Sequence, residues 1–284
     1  MKVKNHFLKN FLLVGGLCLL IAGCGQRGGE SRGKTSDGKE KVVEAGVFDA
    51  AKMKDQIVEV IQNSPKPKEL INLINNTGAS YILDVTIPVA SSEKLLTSTK
   101  QSLGLGMYAF DLQYSNTYQR NDMTAKIAKV ENDLVKKLGL DGELISSENF
   151  LERIKANSDN KDSVDFLVTQ AINFSVQKLS SGQHPDVYAL SFIGVNIEAL
   201  HVLSQLTLLA SNNAQLVALI DSQKDRVKSV FTLLEMMSGD ETVKPYFESM
   251  KPIAQFFQEK QKIGLAELNE IAPVIEKVRN SMIQ

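Results

Sequence analysis

The sequence predicts an all-α fold, a single multi-helix bundle, on three observations. Apolar residues recur at the i, i+3, i+4, i+7 spacing of an amphipathic helix in nearly every segment after residue 48. One run alone, residues 80–88, has a strand-like composition, and a lone strand has no partner with which to form a sheet. No later segment has the composition of a linker, so residues 48–284 are expected to form one domain.

The first 23 residues have the organisation of an export signal. Three lysines and no acid precede or flank an apolar run at residues 11–22, which is too short for a transmembrane helix because a bilayer needs about 20 residues. The run leads into IAGC (residues 21–24), which resembles the lipobox of bacterial lipoprotein precursors. The resemblance implies cleavage before Cys24 and acylation of its sulfur and its new amino group. The alternative is an ordinary secretory signal with an incidental cysteine.

Residues 24–47 are expected to be a lipidated cysteine followed by a flexible tether. The segment is rich in glycine, serine and charge, a composition that stays disordered. About 20 such residues have a root-mean-square reach of roughly 25 Å. The residue after the cysteine is Gly25; an aspartate at this position would resemble an inner-membrane retention signal. The acidic cluster that would resemble a surface-export signal is also missing from the residues that follow. The expected location is therefore the outer membrane, with the domain facing the periplasm.

In the first half of the domain, prolines and polar residues separate the predicted helices. Residues 49–62 and 68–76 are expected to form two helices, with the chain broken between them by two prolines. Residues 80–88 are expected to be an extended loop packed on helices, and the next helix is expected to begin at 91–93. The charge-rich stretch 125–139 is interpreted as a solvated helix face above apolar side chains.

In the second half of the domain, apolar stripes predict five more helices. These are residues 164–179, 186–210, 216–237, 243–257 and 265–278. The helix over 186–210 is apolar on all sides from 195 to 209, so it is expected to be central. Pro252 and Pro273 fall inside the last two helices and are expected to kink them.

Composition excludes several classes of function. The chain has 32 basic and 33 acidic residues, so it lacks the electrostatic footprint of a nucleic-acid-binding protein. Tryptophan is absent and aromatic residues make up 6%, which argues against a surface that stacks bases or sugars. Cys18 lies in the predicted signal, so the mature chain would hold one modified cysteine and no internal disulfide.

One candidate site is a polar aromatic face in the segment LGLGMYAFDLQYSNTYQRND. On a helix, Tyr108, Asp111, Tyr114 and Tyr118 fall within an arc of about 120°. A buried hydroxyl or carboxylate needs a hydrogen-bond partner. The face is therefore interpreted as the wall of a small-ligand pocket or, as we favour, as packing against neighbouring helices with Asp111 accepting hydrogen bonds.

A second candidate is the Glu198-x-x-His201 pair on the apolar helix. Di-iron bundles use this spacing, but they need a second pair and two further glutamates, and His184 has no glutamate three residues before it. The favoured interpretation is a buried network in which Glu198 and His201 satisfy each other, with Asn173 or Tyr188. A zinc site built from the two histidines and a carboxylate is the alternative. No catalytic residue, metal or cofactor is predicted.

Three segments carry a resemblance beyond the signal: YILDVTIPV, LGLGMYAFDLQYSNTY and GVNIEALHVLSQL. On these, residues 65–240 resemble uncharacterised helical lipoproteins of the Bacteroidetes type, which implies the fold and the location and no activity. The expected function is a non-enzymatic binding or interaction module of the cell envelope, anchored to the bilayer through acylated Cys24, with a small molecule or an envelope protein as partner. The alternative is an enzyme or a metal- or ligand-dependent sensor that uses Glu198 and His201 together with Tyr108 and Asp111.

Overall fold

Helices account for nearly all of the regular structure. A computed structural model describes residues 49–140, 150–210 and 213–284, and within these ranges it contains α-helices, two short 3-10 helices and no strand. The predicted all-α fold is confirmed. The predicted signal peptide, Cys24 and the tether lie outside the described residues.

The helices are numbered here in chain order. They are α1 (Ala50–Gln62), α2 (Pro67–Asn76), α3 (Ser98–Thr117), α4 (Asn121–Lys137), α5 (Phe150–Ala156), α6 (Lys161–Ser181), α7 (Pro185–Leu209), α8 (Ala214–Asp221), α9 (Lys224–Met236), α10 (Lys244–Glu259) and α11 (Leu265–Ile283). The 3-10 helices are Leu83–Val85 and Val89–Lys94. Pro252 and Pro273 lie inside α10 and α11, as the sequence predicts.

Two predicted helix limits are wrong, and hydrogen bonds to side chains explain both. The helix expected from residue 91 begins at α3 instead, where Thr97 accepts a hydrogen bond from the Lys100 amide at 3.2 Å and so caps the helix. The helix expected over 216–237 is interrupted between α8 and α9. There, Asp221 at the end of α8 accepts the Ile263 amide at 2.9 Å, which fixes the break to a distant part of the chain.

The helices α3 and α7 form the most extensive helix contact in the described part of the chain. They cross at glycines: a Cβ on Gly106 would lie 1.8 Å from the Ser191 carbonyl oxygen, and one on Gly194 would lie 2.0 Å from that of Leu103. A Cβ atom cannot be accommodated at either distance. Glycine is therefore required at both positions for the two backbones to approach this closely.

The central position predicted for the most apolar helix is confirmed. By length and composition α7 could cross a membrane, but 94% of its most apolar window is buried inside the domain. An apolar helix with this burial is what a bundle needs at its centre, because every face then meets another helix. The stretch of α7 from Tyr188 to His201, together with α3, positions the polar cluster and the apolar cleft described next.

Candidate functional site

Three of the predicted site residues on α3 hold the loop over residues 79–90 against the helix. Tyr108 donates a hydrogen bond to the Pro88 carbonyl at 3.0 Å, Asp111 Oδ2 accepts the Ile87 amide at 2.8 Å, and the Tyr114 hydroxyl accepts the Ile82 amide at 3.2 Å. All three side chains are 0% exposed. The face thus serves packing of the loop, which contains no strand. The expectation that residues 80–88 are extended is wrong at Leu83–Val85, which form a 3-10 helix whose turn is closed by the Thr86 amide donating to the Leu83 carbonyl at 3.0 Å.

Tyr118, the fourth residue of this face, is the C-cap of α3 and is half-buried. Its ring meets that of Tyr114 edge-on with centroids 5.0 Å apart and that of Tyr81 at 5.9 Å. Within the described residues its buried hydroxyl has no hydrogen-bond partner. Burial raises the pKa of Tyr118 to about 12, so the phenol stays protonated.

Glu198 is bound by an arginine that sequence reasoning missed. Arg279 Nε lies 2.8 Å from Glu198 Oε2, and Nη2 lies 2.9 Å from Oε1, in a two-point pair whose side chains are 8% and 0% exposed. The signal was present, because Arg279 stands four residues after Ile275 and seven after Ala272 on the apolar face of α11. A charged residue on such a face needs a buried partner of opposite charge.

The expected mutual hydrogen bond between Glu198 and His201 is wrong. Both oxygens of Glu198 accept from Arg279, and His201 Nδ1 is buried with no hydrogen-bond partner among the described residues. Burial, followed by the positive charge of Arg279, lowers the pKa of His201 to about 3. The imidazole is therefore neutral at physiological pH and lies beside the ion pair without bonding to Glu198.

Asp111 is a second acid in the same enclosed region. Burial, followed by the negative charge of Glu198, raises its pKa well above the usual value, while the Ile87 amide opposes the shift. Its Oδ1 has no hydrogen-bond partner in the described part of the chain. We interpret the group as a neutral carboxyl beside the Glu198–Arg279 pair, since a further unpaired charge at 0% exposure would be costly.

The histidines cannot share a metal ion. His184 precedes α7 and His201 lies 17 positions further along the chain, about 25 Å away at 1.5 Å per residue. Within the described ranges, no three His, Cys, Asp or Glu side chains come together as a metal-binding group. The zinc site considered from the sequence is therefore wrong in its pairing of these two histidines.

A cleft of about 600 Å³ opens on the opposite side of α3 from the tyrosine face. Its main lining residues are Lys68, Glu69 and Asn72 of α2; Leu105, Gly106, Ala109 and Gln113 of α3; Ala128, Glu131, Asn132 and Val135 of α4; Thr169, Ile172, Asn173 and Val176 of α6; and Tyr188, Ser191, Phe192 and Val195 of α7. This volume is typical of small-molecule sites, which are mostly apolar with a few polar groups.

The floor of the cleft follows from the glycine crossing. Gly106, Ala109 and Ser191 are small, so they leave space where α3 and α7 approach each other, while larger apolar side chains such as Phe192 and Val195 form the walls. The crossing therefore explains why an open volume persists beside the tightest helix contact in the core. The small size of these three residues is evident from the sequence, but the sequence does not indicate that all three line one cleft.

Two acidic residues line the cleft: Glu69 of α2 is exposed, and Glu131 of α4 is half-buried among the apolar walls. Glu131 is the unusual one. It makes no hydrogen bond or ion pair with any described residue, and burial raises its pKa to about 8. The sequence interpretation of 125–139 as a solvated face holds only in part at this position, because Glu131 is half-buried in the cleft. Glu131 lies four residues after Ile127 and four before Val135, both buried, and this spacing was the available signal.

None of the six residues predicted to bind a ligand lines the cleft. Tyr108, Asp111 and Tyr114 hold the loop, Tyr118 caps α3, and the Glu198 and His201 side chains lie in the core. Tyr188 and Asn173, considered only as network partners of Glu198, line the cleft instead. Comparisons with protein-family models, with curated proteins and with solved structures give no match to this chain.

Proposed function

We propose that the chain is a lipid-anchored, non-enzymatic binding protein of the bacterial cell envelope, and that its helical domain takes up an apolar small molecule in the cleft between α2, α3, α4, α6 and α7. The observation that carries the binding half of the proposal is the cleft itself, with its apolar walls and about 600 Å³ of space. The anchoring half rests on the IAGC tetrapeptide and on the short apolar run before it. By the sorting argument from Gly25, the anchor lies in the outer membrane.

The buried polar cluster supports a structural role in preference to an enzymatic one. Glu198 is held at both oxygens by Arg279, and Tyr108 and Asp111 bond to backbone atoms of the loop over 79–90. Fully enclosed groups of this kind specify a core and offer no approach to a substrate. We therefore do not propose the enzyme or sensor function.

The binding proposal is tested by filling the cleft. Ala109 lies on its floor and is half-buried, so Ala109→Trp is expected to occupy the space and to weaken binding of an uncharged apolar probe such as octanol at least tenfold. Ala109→Met is a milder variant in case tryptophan prevents folding. Binding is measured by displacement of an environment-sensitive fluorophore from the full-length protein.

The matched control is Ala51→Trp, an exposed position on α1 away from the cleft. It adds the same side chain to the surface, so it should leave affinity for octanol unchanged. The proposal is abandoned if octanol fails to bind the unmodified protein, or if the Ala109 and Ala51 variants of equal stability bind it equally well.

A further inference from the structure

Glu131 gives the cleft a preference for the charge of its ligand, which the apolar walls alone do not provide. The carboxyl lies between Ala128 and Val135 on α4, the three residues line the same cleft, and no described residue donates a hydrogen bond to it or pairs with its charge. Glu131 is half-buried, and a carboxyl that has lost part of its contact with water and has no partner is costly in its ionised form. A ligand that supplied the missing cation would remove that cost.

We propose that the ligand of the cleft is a hydrophobic amine, whose protonated nitrogen pairs with Glu131 while its hydrocarbon part lies against Phe192, Val195 and Leu105. This inference rests on the proposed function, because it assigns a charge to the apolar ligand already placed in the cleft. It assigns Glu131 as a binding residue that determines ligand specificity.

The distribution of the other charges favours a cation over an anion at this position. The other charged groups of the cleft, Lys66, Lys68 and Glu69, are all exposed, and Lys68 Nζ donates to Thr169 Oγ1 at 2.9 Å. An acidic ligand reaching the apolar walls would place a second carboxyl near Glu131. An ammonium group instead brings the donors and the charge that Glu131 lacks.

Gln113 supplies a second acceptor on the facing helix α3. Its Nε2 donates to the Ala109 carbonyl at 3.2 Å, no described residue donates to its Oε1, and both Gln113 and Ala109 line the cleft. An ammonium has three N–H donors and no acceptor. An acceptor set of one carboxylate and one amide oxygen therefore suits an amine better than it suits an alcohol, which has only one donor.

Binding of an amine must release a proton. With its pKa raised to about 8 by burial, Glu131 is mostly protonated at pH 7, and pairing with an ammonium requires the carboxylate. The balance is Glu131–COOH plus R–NH₃⁺ giving the ion pair plus H⁺. Affinity for the amine is therefore expected to rise by up to about tenfold per pH unit below pH 8 and to level off above it.

The experiment compares three probes with the same chain length on the full-length protein: octylammonium, octanol and octanoate. At pH 8, octylammonium is expected to bind at least tenfold more tightly than octanol, with octanoate weakest. Titration calorimetry at pH 7 in buffers of different ionisation enthalpy should show close to one proton released on binding of octylammonium and none on binding of octanol.

Glu131→Gln keeps the shape of the protonated side chain and removes its charge, so it should abolish both the preference for octylammonium and the proton release. Glu59→Gln, at an exposed position on α1, is the matched control and should preserve both. Equal binding of octylammonium and octanol, or a preference that survives Glu131→Gln, overturns this inference and leaves the apolar site standing. If no probe binds, the proposed function fails and this inference fails with it.

Discussion

At the scale of single residues, the most consequential feature is a buried ion pair that joins helices distant in the sequence. Arg279 and Glu198 are enclosed by the core, and each is the main charged partner of the other. Breaking such a pair on one side leaves an unpaired charge in a low-dielectric environment. Replacing both partners by apolar residues avoids this penalty.

We expect Glu198→Ala to lower the free energy of unfolding by about 3–5 kcal/mol, because it leaves Arg279 buried without a counter-charge. The double substitution Glu198→Leu with Arg279→Met should recover most of this loss. Urea unfolding followed by circular dichroism measures both values. A melting temperature unchanged in Glu198→Ala would contradict the burial of the pair.

His201 should make the protein sensitive to mild acid. Its pKa is lowered to about 3 in the folded protein by burial and by Arg279, while the unfolded chain titrates near 6.5. The unfolded state therefore binds a proton that the folded state does not. The stability that this residue contributes is complete above pH 6.5 and is lost as the pH falls towards 3, at up to about 1.4 kcal/mol per pH unit.

The test compares the unmodified protein with His201→Leu by urea unfolding at pH 7, 6 and 5. The variant should show a smaller loss of stability over this range. Asp111 acts with the opposite sign, because a raised pKa in the folded state contributes stability that declines as pH rises above about 4. Since Asp111 is present in both proteins, the difference between them isolates His201, and parallel pH profiles would contradict its buried, neutral state.

At the scale of helices, local spacing predicted most of the fold, and tertiary contacts account for what it missed. Amphipathic stripes located α1, α2, α7, α10 and α11 within a few residues, since their periodicity is a local property of the chain. The break between α8 and α9 depends on the hydrogen bond that the Ile263 amide donates to Asp221, 42 positions away, which no local pattern contains.

The candidate site was less predictable than the fold for the same reason. Residues Tyr108, Asp111 and Glu198 were recognised as unusual, but their partners are Pro88, Ile87 and Arg279, which only the packing brings near. Glu131 was passed over because charges were frequent around it. Its spacing from Ile127 and Val135 places it on the buried side of α4, but the walls around it come from α6 and α7, so the cleft itself could not be predicted from α4 alone.

At the glycine crossing of α3 and α7, the addition of a single methyl group is expected to cost a large part of the folding stability. Gly106→Ala would place a methyl group 1.8 Å from the Ser191 carbonyl oxygen, which forces the two helices apart. We expect a loss of more than 3 kcal/mol, or failure to fold, since backbone atoms cannot move aside as a flexible side chain can. Soluble yield and thermal unfolding measure the effect.

Gly78→Ala is the control for this prediction. Gly78 has a φ of +76°, so alanine there is strained, but no atom lies within 4 Å of the added carbon. The cost should be limited to about 1–2 kcal/mol of backbone strain. Equal destabilisation by the two substitutions would mean that close helix contact is not what requires glycine at position 106.

At the scale of the whole molecule, the proposed anchor and the proposed binding site belong to separate parts of the chain. The cleft is built by helices α2, α3, α4, α6 and α7, whereas lipidation would modify Cys24, before the first described helix. Acyl chains on Cys24 would add membrane affinity at about 0.8 kcal/mol per buried methylene. They are not expected to alter the affinity of the cleft for its ligand.

Cys24→Ser separates the two properties. It removes the thiol that would carry the thioether, so a clickable palmitate analogue should label the unmodified chain in bacteria and not the variant, and intact-mass analysis of the variant should show an unprocessed precursor. Affinity for octanol should stay within twofold of the unmodified value, because no residue of the cleft is changed. A chain that is processed before residue 24 but carries no acyl mass would contradict the lipoprotein proposal and favour an ordinary secretory signal. Labelling lost together with octanol binding would instead contradict the independence of the anchor and the cleft.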